Sequence, residues 1–457
     1  MIDFLKTGRT KSYGSISDYY AGKSVFITGG TGFLGKILME RLLFNCSEIE
    51  RIYVLIRGKK GVNTHNRLQQ MFDVPVFDKL KALKPNALNK VIPIEGDVTK
   101  PELDIKTSDE QKLIDNVSVV FHSAATVRFI ASFEDIMKVN FEGTRKVVDL
   151  SKKIKNLETF LYISTSYSNG NKLIIDESIY PQPKTIDEVY SFIDNYGDNS
   201  KAINKFISGY PNTYTLSKAL CENYIDVNRG PMKSIIVRPS IVTPVFKEPL
   251  PGWQDSWVAA TAAFSDVARG LTKVIHGDSN VVCDMIPVDY VCNLIIVAAA
   301  RGNPTDDVIV YNSCSSSCNP ISWKNGADLY LEESLSHGKY ELKPRQVEVS
   351  SSTLMVNLMT FILQTIPSLS ADVWLRLKGE EPKYIKMQKR AVLLRDLLKV
   401  FTSTSYYIKS ENSQRLIETL DEEDKALFPC DPRTINWQTY MPVFYRGVQK
   451  YLLKPSH

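Results

Sequence analysis

The run SVFITGGTGFLGKILMERLLF, residues 24–44, sets a β-branched apolar segment against a glycine-rich turn and then a helical pattern. Few folds accept that order. The glycines satisfy two spacings, Gly30-x-Gly32-x-x-Gly35 and Gly29-x-x-Gly32-x-x-Gly35. The early glycines permit a tight turn and close approach of a pyrophosphate to the backbone. The last lets the helix pack on the strand, and the helix N-terminus receives the negative charge. Thr28, Gly29, Gly30, Thr31, Gly32, Phe33, Leu34 and Gly35 are therefore the expected dinucleotide contacts.

The alternation continues to about Ser240. RIYVLIR, KVIPIEGDV, VSVVFHSAA, TFLYISTS and SIIVRPS read as strands buried on both faces, with helical stretches such as VNFEGTRKVVDLSKKI between them. Such a pattern implies an α/β fold, a doubly wound parallel Rossmann-type sheet with right-handed crossovers. Between Lys172 and Pro211 it dissolves into an acidic, tyrosine-rich insertion near the mouth of the site. Further strands are expected at VVCDMIPVDYV and VIVYNSC. Beyond about residue 350 helical periodicity dominates, as in SENSQRLIETLDEEDKAL, where Ser410 or Asn412 would cap. The expected organisation is an N-terminal segment (1–20), a reductase-like dinucleotide domain with an interleaved substrate region (21–345) and a C-terminal helical domain (346–457).

Composition excludes several classes. A net charge of +5 over 457 residues, without a basic block, makes nucleic acid a poor partner. The seven scattered cysteines, with no signal peptide before them, read as reduced thiols in a cytosol-facing protein. Five dispersed histidines offer no ligand cluster, so no metal is expected. The greasiest run, LMVNLMTFILQTIP from Leu354, is interrupted by Asn357, Thr360 and Gln364. Pro367 is expected to stop it short of a bilayer span, and the run from Leu354 to Ile366 reads equally as a helix buried in a bilayer interface or as a core helix of the second domain.

Cofactor choice is read about 20 residues beyond the glycines, at the end of the second strand. An acid there would accept from ribose hydroxyls. This strand instead ends in Arg57, Lys59 and Lys60, which suits a 2′-phosphate and favours NADPH, Arg57 being the preferred contact. Asp97 and Val98 follow the third strand, where the carboxylate reads either as an adenine contact or as a turn aspartate. Ala124 and Ala125 follow the fourth, small enough for a cofactor to lie against backbone.

Hydride addition to a carbonyl needs a group to hold the developing oxyanion and a source of one proton. A tyrosine with a lysine four residues on, on one helical face, suits both tasks if the ammonium lowers the phenol pKa. The spacing occurs at Tyr19/Lys23, Tyr180/Lys184 and Tyr214/Lys218. The first precedes the first strand and the second is broken by prolines. Tyr214 and Lys218 alone follow a strand end bearing hydroxyls, Ser164, Thr165 and Ser166. No cysteine is expected near these motifs.

GKSVFITGGTGFLGK, IYVLIRGKKG, VNFEGT, STSY, YTLSK and IVRPS together resemble the extended short-chain dehydrogenase/reductases. PGWQDS, DMIPVDYV, VYNSCSSSCNPISW and the C-terminal FTSTSYYIKSENSQRL and TINWQTYMPVFYRGVQKYLLK narrow the resemblance to the eukaryotic fatty acyl-CoA reductases with their male-sterility helical domain. That likeness implies Tyr214 as proton donor, Lys218 as its electrostatic partner and cofactor contact, and Thr165 as the carbonyl-holding hydroxyl, Ser166 standing where relatives have alanine. It implies Asn140 ordering the site's water or backbone, and Pro239 and Ser240 beside the nicotinamide. It further implies reduction of a long-chain acyl-CoA to a primary alcohol by two NADPH, through a hemithioacetal and an aldehyde. The acyl tunnel is expected at Trp253, Trp257 and the helix VAATAAF. The partners implied are the acyl-CoA and a membrane surface, at a peroxisome or the endoplasmic reticulum. Another extended reductase or epimerase, acting on a sterol, flavonoid or nucleotide sugar, is the competing expectation.

Overall fold

The computed structural model describes residues 14–58, 63–128, 131–257, 259–338 and 340–453. Seven strands form one sheet: β1 (Ser24–Thr28), β2 (Arg51–Ile56), β3 (Val91–Glu95), β4 (Val117–His122), β5 (Thr159–Ile163), β6 (Ser234–Pro239) and β7 (Ile309–Ser313). All pair in parallel, in the order β3-β2-β1-β4-β5-β6-β7. The order reverses between β1 and β4, so a crevice opens above their carboxyl ends, where such sheets bind ligands.

Period-2 alternation explains why these strands read as unbroken apolar runs. Val25 and Ile27 of β1 enter the cluster on one face, and Phe26 between them enters the cluster on the other. Each buried aliphatic side chain contributes about 1.5–3 kcal/mol, which is why neither face is left to water.

Helix α1 (Phe33–Asn45) follows β1, and α2 (Glu142–Lys153) continues a π turn at Met137–Phe141. Then come α3 (Thr213–Asn228), α4 (Ala259–Ala268), α5 (Val288–Arg301) and α6 (Trp323–His337). The C-terminal third adds α7 (Thr353–Leu377), α8 (Tyr384–Ser403) and α9 (Trp437–Tyr451). Its residues join the cluster on the β1 Val25 face, from Leu398 to Val448. The contact of α9 with the loop after β6 is backbone to backbone, since a Cβ on Gly447 would lie 1.9 Å from the Gly252 carbonyl oxygen.

Four local expectations need correction. The insertion is not structureless: helices form at Ile186–Tyr196 and Ser200–Phe206. The missed signal was Thr185-x-x-Glu188, a complete capping box. VDYV opens α5, and the strand before it is only Met285–Pro287. Ser410 takes the N-cap position but makes no capping bond; Glu177, from the insertion, accepts from the Asn412 and Ser413 N–H groups instead. Pro367 does not stop its helix. The π turn Phe361–Thr365 just before it widens the coil, and α7 continues to Leu377, 25 residues in all, long and apolar enough by length and composition to cross a membrane.

Candidate active site

The turn after β1 is built around backbone contacts that only glycine allows. Gly29 has φ +73°, and a Cβ there would meet the Ala124 nitrogen at 2.7 Å. A Cβ on Gly35 would come within 2.4 Å of the Gly29 carbonyl oxygen, and one on Gly30 within 2.6 Å of Val54. Gly32 caps α1 without a side chain, leaving the first-turn N–H groups at Phe33 and Leu34 facing the turn. These residues form a cradle a pyrophosphate fits. Thr28 is buried at the end of β1 and Thr31 is half-buried. The loop after β6 closes over this turn: Trp253 packs on Phe33 at 5.6 Å, and Lys36 donates to Asp255 at 2.5 Å and to the Thr31 carbonyl at 2.7 Å.

Arg57 leaves β2 exposed, and the Arg67 guanidinium donates to its carbonyl. Lys59 and Lys60 lie outside the described residues. An acid the sequence reading missed also reaches this end. Glu95 of β3 lies 3.0 Å from where a Cβ on Gly58 would be, and pairs with Lys106 at 3.7 Å. Register brings it there, because Glu95 sits opposite Ile56. Asp97 accepts from the Thr99 N–H and hydroxyl, both at 2.9 Å, so its Oδ1 serves the turn. Val98 is buried against Gly143, and its carbonyl accepts from Lys146. Ala124 and Ala125 are half-buried beyond β4.

Lys218, one turn into α3, is buried. Its ammonium donates to the Ile163 carbonyl at 2.8 Å and to the Tyr162 hydroxyl at 3.1 Å. Burial pulls it down to about 8. Burial also pushes the Tyr214 phenol up, well above its ordinary value. The expected lowering is therefore reversed: desolvation first, and then the neighbouring Cys221, both raise it. Asn212 caps α3 through a capping box, which fixes Tyr214 in the first turn of the helix.

The three hydroxyls after β5 are not equivalent. Ser164 donates to Glu222 at 2.5 Å and Ser166 to the Arg238 carbonyl at 2.8 Å. Thr165 instead accepts from the Tyr167 N–H at 3.3 Å, which leaves its own proton to give. Glu222 and Arg238 are both buried and paired at 2.7 Å, and Arg238 also donates to the Asp176 and Ser178 carbonyls. Sequence reading missed this pair. Its signal was an arginine inside an apolar strand and a glutamate two turns beyond Tyr214.

A buried polar chain ties the glycine turn to α3. Thr144 donates to the Asn140 carbonyl at 2.6 Å, so it accepts from His122 Nε2–H at 2.9 Å. His122 Nδ1 then accepts from Thr28 at 2.6 Å, and Thr28 accepts from the Ala124 N–H. Burial holds the imidazole neutral, its pKa down to about 3. Asn140, in the π turn, accepts from the Thr126 N–H and donates to Ser217, which donates to the Tyr214 carbonyl. It orders backbone on both sides of the crevice. Cys221 does lie in this network, contrary to expectation, its thiol donating to the Asn140 carbonyl at 3.3 Å; burial raises its pKa, which leaves it a protonated thiol.

Pro239 ends β6, and the following Ser240 hydroxyl is buried with no hydrogen-bond partner among the described residues. An orphaned buried hydroxyl at the carboxyl end of a sheet strand fits a polar ligand group there. Trp253 packs at the cofactor turn and Trp257 is exposed. The apolar cleft between α4, α6 and α8 is lined by Ala263 and Phe264 of the alanine-rich helix, and by neither tryptophan.

A doubly wound sheet with a glycine cradle at its switch point, and a Tyr-x-x-x-Lys helix beside it, defines a nicotinamide-dependent oxidoreductase of the short-chain dehydrogenase type. A family profile described as "Male sterility protein", of the NAD-binding kind, matches residues 27–295, and a second of the same description matches 363–455. "Fatty acyl-CoA reductase 1" of Xenopus laevis is 36% identical over 446 residues, 96% of this chain and 86% of that one. The Homo sapiens protein of the same name is 33% identical over the same span, and "Fatty acyl-CoA reductase wat" of Drosophila melanogaster 30% over 450 residues, 95% of this chain and 85% of that one. The chain belongs to the eukaryotic fatty acyl-CoA reductase family. Among solved structures, the terminal R domain of the myxalamid PKS-NRPS pathway shares the fold (TM-score 0.65, 18% identity, 95% of this chain and 92% of that one). So does the nonribosomal peptide synthetase R domain of Mycobacterium tuberculosis (TM-score 0.61, 18% identity, 93% and 91%).

Proposed function

We propose that this enzyme reduces a long-chain fatty acyl-CoA to a primary alcohol, using two NADPH. The observation that carries the reading is the sorting of hydroxyls at β5: Thr165 keeps a proton to give, beside the helix that carries Tyr214 in its first turn. When bound, the reduced nicotinamide supplies the hydride. The protein's residues do the rest. Thr165 donates to the carbonyl oxygen as charge develops on it, and the Tyr214 phenol supplies the proton. Lys218, held by the Ile163 carbonyl and Tyr162, keeps a positive charge within the site. After the first reduction the hemithioacetal hydroxyl returns its proton to the Tyr214 phenolate as it expels CoA thiolate, which leaves an aldehyde and a recharged phenol. The second takes the aldehyde to the alcohol, Tyr214 again giving the proton.

Arg57 and Arg67 support the choice of NADPH, since Glu95 beside them already has Lys106 as its counter-charge. A lipid substrate and the exposed apolar α7 support work at a cytosol-facing membrane surface. We read residues 21–345 as the reductase region with its acyl-substrate part and 346–457 as the helical region. Purified protein with NADPH and palmitoyl- or stearoyl-CoA is expected to yield fatty alcohol by gas chromatography. Absence of alcohol across chain lengths, with cofactor oxidised by a UDP-sugar or hydroxysteroid, would sink the reading.

A further inference from the structure

Helix α7 is amphipathic in the wrong sense for water. Thr360, Gln364, Ser368 and Asp372 face the protein. The Gln364 side-chain oxygen accepts from the Lys273 and Val274 N–H groups at 2.9 and 3.1 Å. Thr360 accepts from the buried Arg395 guanidinium at 2.7 Å. The Asp372 carboxylate caps α8 by accepting from Lys383, Tyr384 and Ile385 at 2.8–3.0 Å. The apolar residues face out: Leu354 is 81% exposed, Leu377 77%, Trp374 58%, Phe361 55% and Leu358 52%. Leu393, Leu397 and Val400 of α8 extend the same surface. Contiguous exposure of this kind marks an interaction surface.

Charge chooses the partner. Arg376, Lys378, Lys383, Lys386, Lys389 and Arg390 are all exposed around the C-terminal end of α7 and the first turns of α8, against Glu380, Glu381 and Glu341, the last paired with Lys383 at 3.2 Å. Lys378 lies over the Trp374 ring at 5.0 Å, an aromatic and a cation together at one boundary. Length and composition alone would let α7 span a bilayer, but its inward face is polar and bonded to β-strand backbone and to α8. A spanning helix must be apolar all round.

We infer that α7 and the outer face of α8 lie in the plane of an anionic lipid bilayer, as a monotopic docking surface. This rests on the proposed lipid substrate and specifies how the substrate arrives. Helix α8 runs from the docking surface to the catalytic turn. On its inner side Leu394, Leu398 and Thr402 line the apolar cleft with Phe264 and Trp323. Phe401 packs edge-on against Tyr167 at 5.0 Å, and Tyr167 donates its N–H to Thr165. The acyl tail enters along α8 from the bilayer side.

The test is flotation of the full chain with phosphatidylcholine vesicles, with and without phosphatidylserine. Wild type is expected to float with the phosphatidylserine vesicles, and added salt to weaken it. Leu358→Asp with Trp374→Asp is expected to lose flotation by roughly tenfold or more. Its turnover of a short, water-soluble acyl-CoA without vesicles should remain at the wild-type rate. Wild type that fails to float overturns the inference, as does a variant that floats equally well. So does light scattering that finds a wild-type dimer dissociated by the substitutions, since a second copy would then cover the face. Flotation that behaves as expected, in protein that reduces no acyl-CoA, leaves the docking surface standing and removes the proposed reaction.

Discussion

Arg238 of β6 and Glu222 of α3 meet at 2.7 Å with neither side chain more than 1% exposed. The pair holds Ser164 and Ser168 through Glu222 and the insertion's backbone through Arg238. It fixes the strand end from which Thr165 projects. Removing one partner leaves the other charge buried alone, so Arg238→Met is expected to cost about 3–5 kcal/mol. Thermal or urea unfolding checks it, and the double variant Arg238→Met/Glu222→Leu should recover part of the loss.

Tyr214→Phe keeps the ring and removes the proton. Its kcat/KM is expected to fall roughly 100- to 10,000-fold, with dinucleotide binding retained by fluorescence titration. Full activity in that variant removes Tyr214 from the mechanism.

Thr165→Val should cost roughly 100-fold or more in kcat, the loss expected when a donor to a developing oxyanion is removed. Ser166→Ala, whose hydroxyl is spent on the Arg238 carbonyl, should cost far less. The reverse order, by steady-state kinetics, would transfer the carbonyl-holding role to Ser166.

Lys218 sets a pH dependence. Its pKa in the folded protein is down to about 8, from an ordinary 10.5. Below about 8 folded and unfolded chains both carry the proton, so the desolvation cost is constant there. Between about 8 and 10.5 the unfolded chain holds more proton, and stability rises with pH. Activity moves oppositely: kcat/KM, which reports the free enzyme, should fall as pH passes about 8 and the charge is lost. A flat profile from pH 7 to 10 would contradict this.

Gly35→Ala tests the cradle. A methyl there meets the Gly29 carbonyl oxygen at 2.4 Å, so backbone must shift. We expect about 1–3 kcal/mol of destabilisation and weaker dinucleotide binding, read by calorimetry. Arg57→Ala should raise the KM for NADPH more than that for NADH.

The sequence by itself determined the sheet, the glycine turn and the rank of Tyr214/Lys218 over its two decoys. These depend on patterns local in the chain: unbroken apolar strands, glycine spacing and the order of motifs. Tertiary structure decided what depends on partners far apart. Which hydroxyl keeps its proton was set by Glu222 and the Arg238 carbonyl, 58 and 72 residues away. That Glu95 reaches the Arg57 end was set by strand register, and that Cys221 sits in the site by the helix packing against the π turn. Desolvation made the phenol weaker as an acid where spacing alone had suggested the opposite, because burial is a property of the packed fold. The apolar run from Leu354 was legible as greasy, but which side faces out was fixed only when Gln364, Thr360 and Asp372 found partners on the protein.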